Sequence, residues 1–383
     1  IKSATTGTGA ALERLFITGV SPVTMDDVTS GFNIGTNITN DSWFNDLVGF
    51  SENELREMLE YYKEQGVLQE SIDEIVAMMK PNYDNYCFSE DTLEQCMFNS
   101  DMALYSLKSF VLHHKKPKEI VDPNIRTDFN KLAYLIKLDH GLGENFSVIK
   151  EIAEQGEIIT DIVTHFSALE MTDPSNFKSL LFYFGLLSIK GVDMVGRPIL
   201  HVPNLVVREQ LFNFLIQGYI KHDIFKIDMN KMSALFENMA FRGDWKPLFD
   251  FIANAVREQS RIREYIEGEA HIKGFLLAYL GMYRYYQLYP EYELNKGFAD
   301  FFFKPSLSVP VLPPFTYLLE VKYAKAGASE KEIRALADEA REQLLRYSED
   351  ELVAEAKAKG ELKLITIVWR SWELVLLEEV TLS

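Results

Sequence analysis

The chain has 383 residues, 47% of them apolar, and its 57 acidic against 39 basic side chains give a formal net charge of -18. That length and composition can bury sizeable cores and predict two or three domains. Runs of about 18 uncharged apolar residues are missing, which excludes a membrane-spanning helix, and the acidic balance argues against tight unassisted binding to long DNA, because phosphate contacts need a basic surface. The chain opens at Ile1 without a charged-then-apolar leader, so it reads as a fragment or processed piece. Cys87 and Cys96 match no zinc or redox spacing, and reduced thiols in the cytoplasm are expected.

In chain order, residues 14–33 (Arg14-Leu-Phe-Ile-Thr-Gly-Val-Ser-Pro and onward) start as a short strand and end in a polar, glycine-containing turn. Strand-end loops of this kind are where α/β proteins put ligands. Ser51 and Glu54 form a capping box ahead of Leu55, Leu59 and Tyr62, which predicts a helix. Together these stretches resemble the later part of an AAA-ATPase-like domain. In bacterial proteins of that kind such a domain precedes a PD-(D/E)XK domain in one chain. An ATPase of that class needs a glycine-rich loop ending in Lys-Ser/Thr to cradle phosphates, whereas Gly7-Thr-Gly9 is not followed by the lysine. Residues 1–75 are therefore expected to be the C-terminal part of a nucleotide-binding domain whose phosphate-binding half is absent, and ATP is expected only where that half is present. On the resemblance Thr18, Ser21 and Asp26 would be sensor-type residues, although an ordinary turn is the plainer reading of all three.

Residues 76–220 read as mostly helical. Stretches 91–113 and 147–169 are amphipathic, 177–187 is a dense apolar run, and 198–203 reads as a short strand before a helix over 205–220. Helix, short strands around Gly196-Arg197, then helix is compatible with a winged-helix-like lid. No basic run with interleaved aromatics sits there, so packing is favoured over nucleic-acid contact. The adjacent His113 and His114 point different ways on a helix and do not make a metal pair. Residues 221–262, with a helix over 241–255, are expected to link to the last domain, 263–383.

That domain carries the chemistry. A helix is predicted over 263–287, with Tyr265, Ile272, Leu276, Tyr279 and Tyr283 on its apolar stripe and Glu269 inside that stripe; Glu267, two residues away, lies off it. Residues 297–323 read as two antiparallel strands around a Pro-rich loop. Along a strand alternate side chains share a face, so Asp300 sides with Phe298 and Phe302, and Glu320 with Lys322. A second helix starts at Ser329 with Glu332 as its capping-box partner, and its inward face reads Ile333, Leu336, Ala340, Gln343, Tyr347. After Gly360 come two more strands, 362–369 and 372–380, around Arg370-Ser371.

Each apolar element is thus broken by a polar residue: Glu269, Asp300, Glu320 with Lys322, and Gln343. Such residues cost several kcal/mol inside a sheet unless they pair or hold an ion. Asp, a variable gap, then Glu-x-Lys, set within helix, three strands, helix and strand, resembles the PD-(D/E)XK nuclease superfamily. The whole chain is then expected to be a mixed α/β protein: a partial AAA-ATPase-like region, a helical or winged-helix-like lid, and a restriction-endonuclease-like αβββαβ domain.

The resemblance implies metal-dependent hydrolysis of nucleic-acid phosphodiesters, with DNA favoured over RNA. Asp300 and Glu320 are hard oxygen ligands suited to Mg²⁺ or Mn²⁺, and the resemblance adds the Val321 backbone carbonyl. Lys322 would orient the attacking water or stabilise developing charge, Glu269 would approach the metal from the first helix, and Gln343 would hold a site residue or the nucleic-acid backbone. The alternative is a catalytically silent nuclease fold that binds nucleic acid or protein, and a homo-oligomer or a partner protein is compatible with either reading.

Overall fold

The computed structural model describes residues 16, 18, 36–117, 120–122, 144–164, 166, 170, 173–221, 228–258, 268–281, 283, 285–294, 297–306, 309 and 311–381. They fall into two compact units, one made of residues 1–114, 121–148 and 157–207 and the other of residues 115–120, 149–156 and 208–383. The strand and turn expected over 14–33 lie almost wholly outside the described residues, as do Ser21 and Asp26; Thr18 is described and exposed. No helix among the described residues is long and apolar enough to cross a membrane.

The first unit opens with helix α1, Glu52–Glu64, set by the capping box expected from sequence: Glu54 Oε2 takes the Ser51 N–H at 2.8 Å and the Ser51 hydroxyl accepts from the Glu54 N–H. Helices α2, Ile72–Tyr83, and α3, Ser100–His113, follow. The helix expected from residue 91 begins only at Ser100, because Asn99 caps it by accepting the Met102 N–H, and Glu90–Thr92 forms a separate short turn of 3-10 helix. Helix α4, Glu144–Gln155, whose residues from Ile149 on belong to the second unit, likewise ends earlier than the 147–169 pattern predicts. Gly156 takes a left-handed φ of +76° there, and strand β1, Glu157–Ile159, pairs with β3, Pro198–His201. Helix α5, Pro174–Tyr183, lies between, and β2, Ser188–Val192, completes an antiparallel sheet of order β1-β3-β2. Helix α6, Leu205–Lys221, which belongs from Arg208 on to the second unit, matches the helix expected over 205–220.

In the second unit α7, Met229–Arg242, is followed by α8, Lys246–Glu258, so the helix expected over 241–255 starts only at Lys246. Gly243 separates them as a C-cap at φ +70°, and a Cβ there would stand 2.8 Å from the Phe315 ring. Gly243→Ala is therefore expected to destabilise the protein by about 1–3 kcal/mol, from left-handed strain plus overpacking, read as a lower urea midpoint at unchanged slope. Helix α9, Glu269–Leu280, stops well before residue 287: Gly281 follows it, and Tyr286–Leu294 is strand β4.

Strands β4, β5 (Gly297–Pro305), β6 (Phe315–Ala324), β7 (Glu361–Arg370) and β8 (Glu373–Val380) form one sheet in sequential order. All neighbours are antiparallel except β6 and β7. A parallel pair needs a crossover, supplied by α10, Glu330–Tyr347, and α11, Glu351–Lys359. Ser329 and Glu332 cap α10 as the sequence predicts, and Asp350 caps α11, which the sequence reading did not foresee.

The sheet has two different faces. On one, Tyr317, Phe301, Phe303, Leu319, Val321, Ile367 and Trp369 are buried, and the Tyr317 hydroxyl donates to the Met239 carbonyl of α7 at 2.6 Å. On the other, α10 lies over two apolar layers. Phe302, Leu318, Leu364 and Val380 pack with Leu344 and Tyr347, while Val368 and Leu376 pack with Ile333 and Ala337. Between these layers the register sets Glu320 beside Thr366 and Thr366 beside Glu378. Asp300 lies one step past the ladder pair Phe301↔Leu319, level with Glu320. A polar row thus crosses the sheet between two greasy ones.

Candidate active site

Asp300 and Glu320 occupy adjacent central strands and are 4% and 3% exposed. Strand alternation forces both onto the face under α10, and Phe301, Phe302, Leu318 and Leu319 around them fix the register through their burial. Asp300 Oδ2 accepts the Val321 N–H at 2.7 Å, so a side chain takes the hydrogen bond just past the last β5–β6 pair, Phe301↔Leu319. Asp300 Oδ1 lies 2.5 Å from the Lys273 ammonium, which in turn is 3.0 Å from Glu269 Oε1 one helical turn earlier on α9.

Glu320 is the more strained of the two carboxyls. Its Oε1 accepts from Lys322 Nζ at 3.3 Å, while its buried Oε2 has no hydrogen-bond partner. Burial, and next the negative charge of Asp300, push its pKa up to about 8, with Lys322 only partly offsetting them. Lys322 feels burial in the opposite sense, but Glu320 and Glu339 outweigh it and its pKa is raised. Glu339 reaches Lys322 from α10 at 3.2 Å. One turn further along α10, Gln343 Oε1 is buried without a partner, as is Thr366 Oγ1 on β7. Buried polar atoms are rarely left so, and two of these, Glu320 Oε2 and Thr366 Oγ1, belong to residues paired across β6 and β7.

The residues expected from sequence are therefore distributed as follows. Asp300, Glu320 and Lys322 come together through the contacts above, and of Val321 it is the N–H that meets Asp300. Glu269 meets Asp300 only through Lys273, and its own side chain is about half exposed, at 45%. Gln343 on α10 is half-buried and its Oε1 accepts no hydrogen bond, and Glu267 is outside the described residues. Sequence reasoning missed Lys273, Glu339 and Thr366. The i,i+4 spacing of Lys273 from Glu269 and of Glu339 from Gln343 was the available signal for the first two; a threonine in a strand carries none.

The donor set fits a hard divalent ion. Two buried carboxylates repel each other, one oxygen of the pair is unsatisfied, and oxygen ligands of this kind suit Mg²⁺ or Mn²⁺, which bind through one or two carboxylates and keep much of their water. Among the described residues no group of three or more His, Cys, Asp or Glu is placed to hold a metal ion. A search among curated proteins finds no match to the chain. Residues 267–379, which carry α9, the five-stranded sheet and α10, match the family model described as PD-(D/E)XK nuclease superfamily, and this segment is a domain of that superfamily.

Proposed function

We propose that the domain hydrolyses nucleic-acid phosphodiester bonds with a divalent metal, Mg²⁺ or Mn²⁺, held by Asp300 and Glu320, with the Val321 carbonyl as a further ligand. The observation that carries this reading is Glu320, a buried carboxyl with an unsatisfied oxygen beside a second buried carboxyl and a lysine. A bound divalent ion supplies Lewis acidity toward a phosphoryl oxygen and lowers the pKa of its own water. The protein does the rest. The Val321 N–H and Lys273 hold the Asp300 carboxylate in one orientation. Lys322, kept protonated by Glu320 and Glu339, presents a positive charge where negative charge develops on the phosphoryl group or where the attacking water must be oriented. The apolar layers on either side of the polar row exclude water and strengthen these interactions.

Gln343 and Glu269 belong to the same proposal as residues at the rim of the site, Gln343 toward substrate or a site residue and Glu269 as the partner of Lys273. The resemblance of residues 1–75 to the later part of an AAA-ATPase-like domain, the lid reading of 76–220 and a bacterial source extend the proposal and rest on the sequence resemblance alone. So does a reducing cytoplasmic setting, supported by the free thiols of Cys87 and Cys96. DNA is the expected substrate and RNA the comparison. Incubating the chain with duplex and single-stranded DNA and with RNA should give cleavage in Mg²⁺ or Mn²⁺ and none in EDTA; products that form equally in EDTA would end the metal-dependent reading.

A second reading, a nuclease fold retained for binding without turnover, is favoured by two observations. Lys273 already neutralises Asp300, and the chain carries a net charge of -18. It requires nucleic acid or protein to bind equally well with and without metal and to remain intact.

A further inference from the structure

Lys273 meets Asp300 from the helix side of the site. Its ammonium lies 2.5 Å from Asp300 Oδ1 and 3.0 Å from Glu269 Oε1, with the lysine side chain only 21% exposed. A monovalent cation on a flexible four-carbon stem thus sits against one of the two carboxylates expected to take a divalent ion. The other Asp300 oxygen is committed to the Val321 N–H, so Oδ1 is the oxygen for which lysine and metal compete. Glu269 is half exposed and one turn from Lys273, which gives the ammonium a second anion to rest on when it leaves Asp300. We propose that Lys273 is a resident counter-ion that holds Asp300 ready and is exchanged for the divalent cation, with Glu269 receiving it, so that metal entry and lysine release are one event. The inference rests on the metal-dependent reading of the site and assigns two residues of α9 a positioning role within it.

This exchange makes the first helix part of metal affinity without making it a metal ligand. A lysine that has moved to Glu269 would lie beside a half-exposed carboxylate at the rim of the site, positive and partly exposed. The same pair that argues for a silent site thereby becomes the device that keeps two buried carboxylates tolerable before the ion arrives.

Calorimetric titration of the whole chain with Mn²⁺, without nucleic acid, tests this. Lys273→Met removes the competitor and should tighten Mn²⁺ binding about tenfold, the scale of one partly buried ion pair, while Lys273→Arg, which keeps the charge, should stay within about twofold of the unmodified chain. Lys273→Gln serves in place of the methionine variant where that one does not fold. A second readout is amine acylation followed by mass spectrometry: Lys273 should react faster with Mn²⁺ present than in EDTA. Unchanged or weaker Mn²⁺ affinity in Lys273→Met or Lys273→Gln would overturn the exchange while leaving metal-dependent cleavage standing. Failure of every variant, and of the unmodified chain, to bind Mn²⁺ would remove both the exchange and the proposed function.

Discussion

Replacing Lys322 with methionine is expected to slow metal-dependent cleavage by about 10²–10³-fold, the usual cost of removing one preorganised positive donor from a developing charge. The structure makes this a change in chemistry more than in folding. Lys322 is bracketed by Glu320 at 3.3 Å and Glu339 at 3.2 Å, and both carboxyls hold its proton. Glu339 is exposed and simply returns to solvent when the lysine is lost. Glu320, already pushed toward its neutral form by burial and by Asp300, becomes protonated more fully and leaves no naked charge in the core. Metal affinity is expected to hold or rise, because a positive neighbour of the ligand set has gone. Single-turnover cleavage at saturating Mg²⁺, set beside the melting temperature in EDTA, separates the effects. A rate within threefold of the unmodified chain would exclude Lys322 from the reaction, and a large fall in melting temperature would make it a structural residue.

Much of the nuclease-superfamily domain was legible because its rules are local. Two-residue alternation placed Asp300 and Glu320 with Lys322 on strand faces, and the Ser329–Glu332 capping box fixed the start of α10. The misreadings have equally physical causes. Tyr279 and Tyr283 continue a helical stripe toward Gln287, but α9 ends at Leu280 and the aromatic, alternating run Tyr286–Leu294 pairs with β5. Its Pro290 lacks an N–H, which an edge strand tolerates. Helix α11 is hidden in the sequence because Gly360 reads as the stop of one long helix, whereas the chain first breaks at Ser348 and restarts on the Asp350 cap. Lys273 was hidden for a different reason. Beside Glu269 it looks like an ordinary solvated i,i+4 pair, and its bond to Asp300 depends on where α9 meets the sheet, which no local pattern encodes. Thr366 enters the polar row only through the parallel pairing of β6 with β7, a crossover contact that joins strands separated by two helices.

Glu320→Gln should abolish the pH dependence of stability that this carboxyl imposes. The folded-state pKa of Glu320 is raised from 4.5 to about 8 by burial and then by Asp300, with Lys322 and the Asp300 backbone N–H opposing. Between those two values the folded protein keeps a proton that the unfolded chain has released. Linkage then makes stability fall as pH rises through the window from about 4.5 to about 8 and level off above it. For a group this buried the loss is on the order of 4 kcal/mol. Glutamine cannot ionise, so the variant should unfold with nearly the unmodified stability at pH 5 and be several kcal/mol more stable at pH 9, both in EDTA. Saturating Mg²⁺ should flatten the slope of the unmodified chain, since a cation stabilises the ionised carboxylate that the empty core penalises, and should leave the glutamine variant unmoved. The charges facing this group are Asp300, Lys322 and, through Asp300, Lys273, none of which the substitution touches. Urea unfolding at the two pH values decides the matter. Parallel slopes in EDTA would mean that Glu320 is ionised and satisfied in the apo fold, and the reason to expect a cation beside it would be gone.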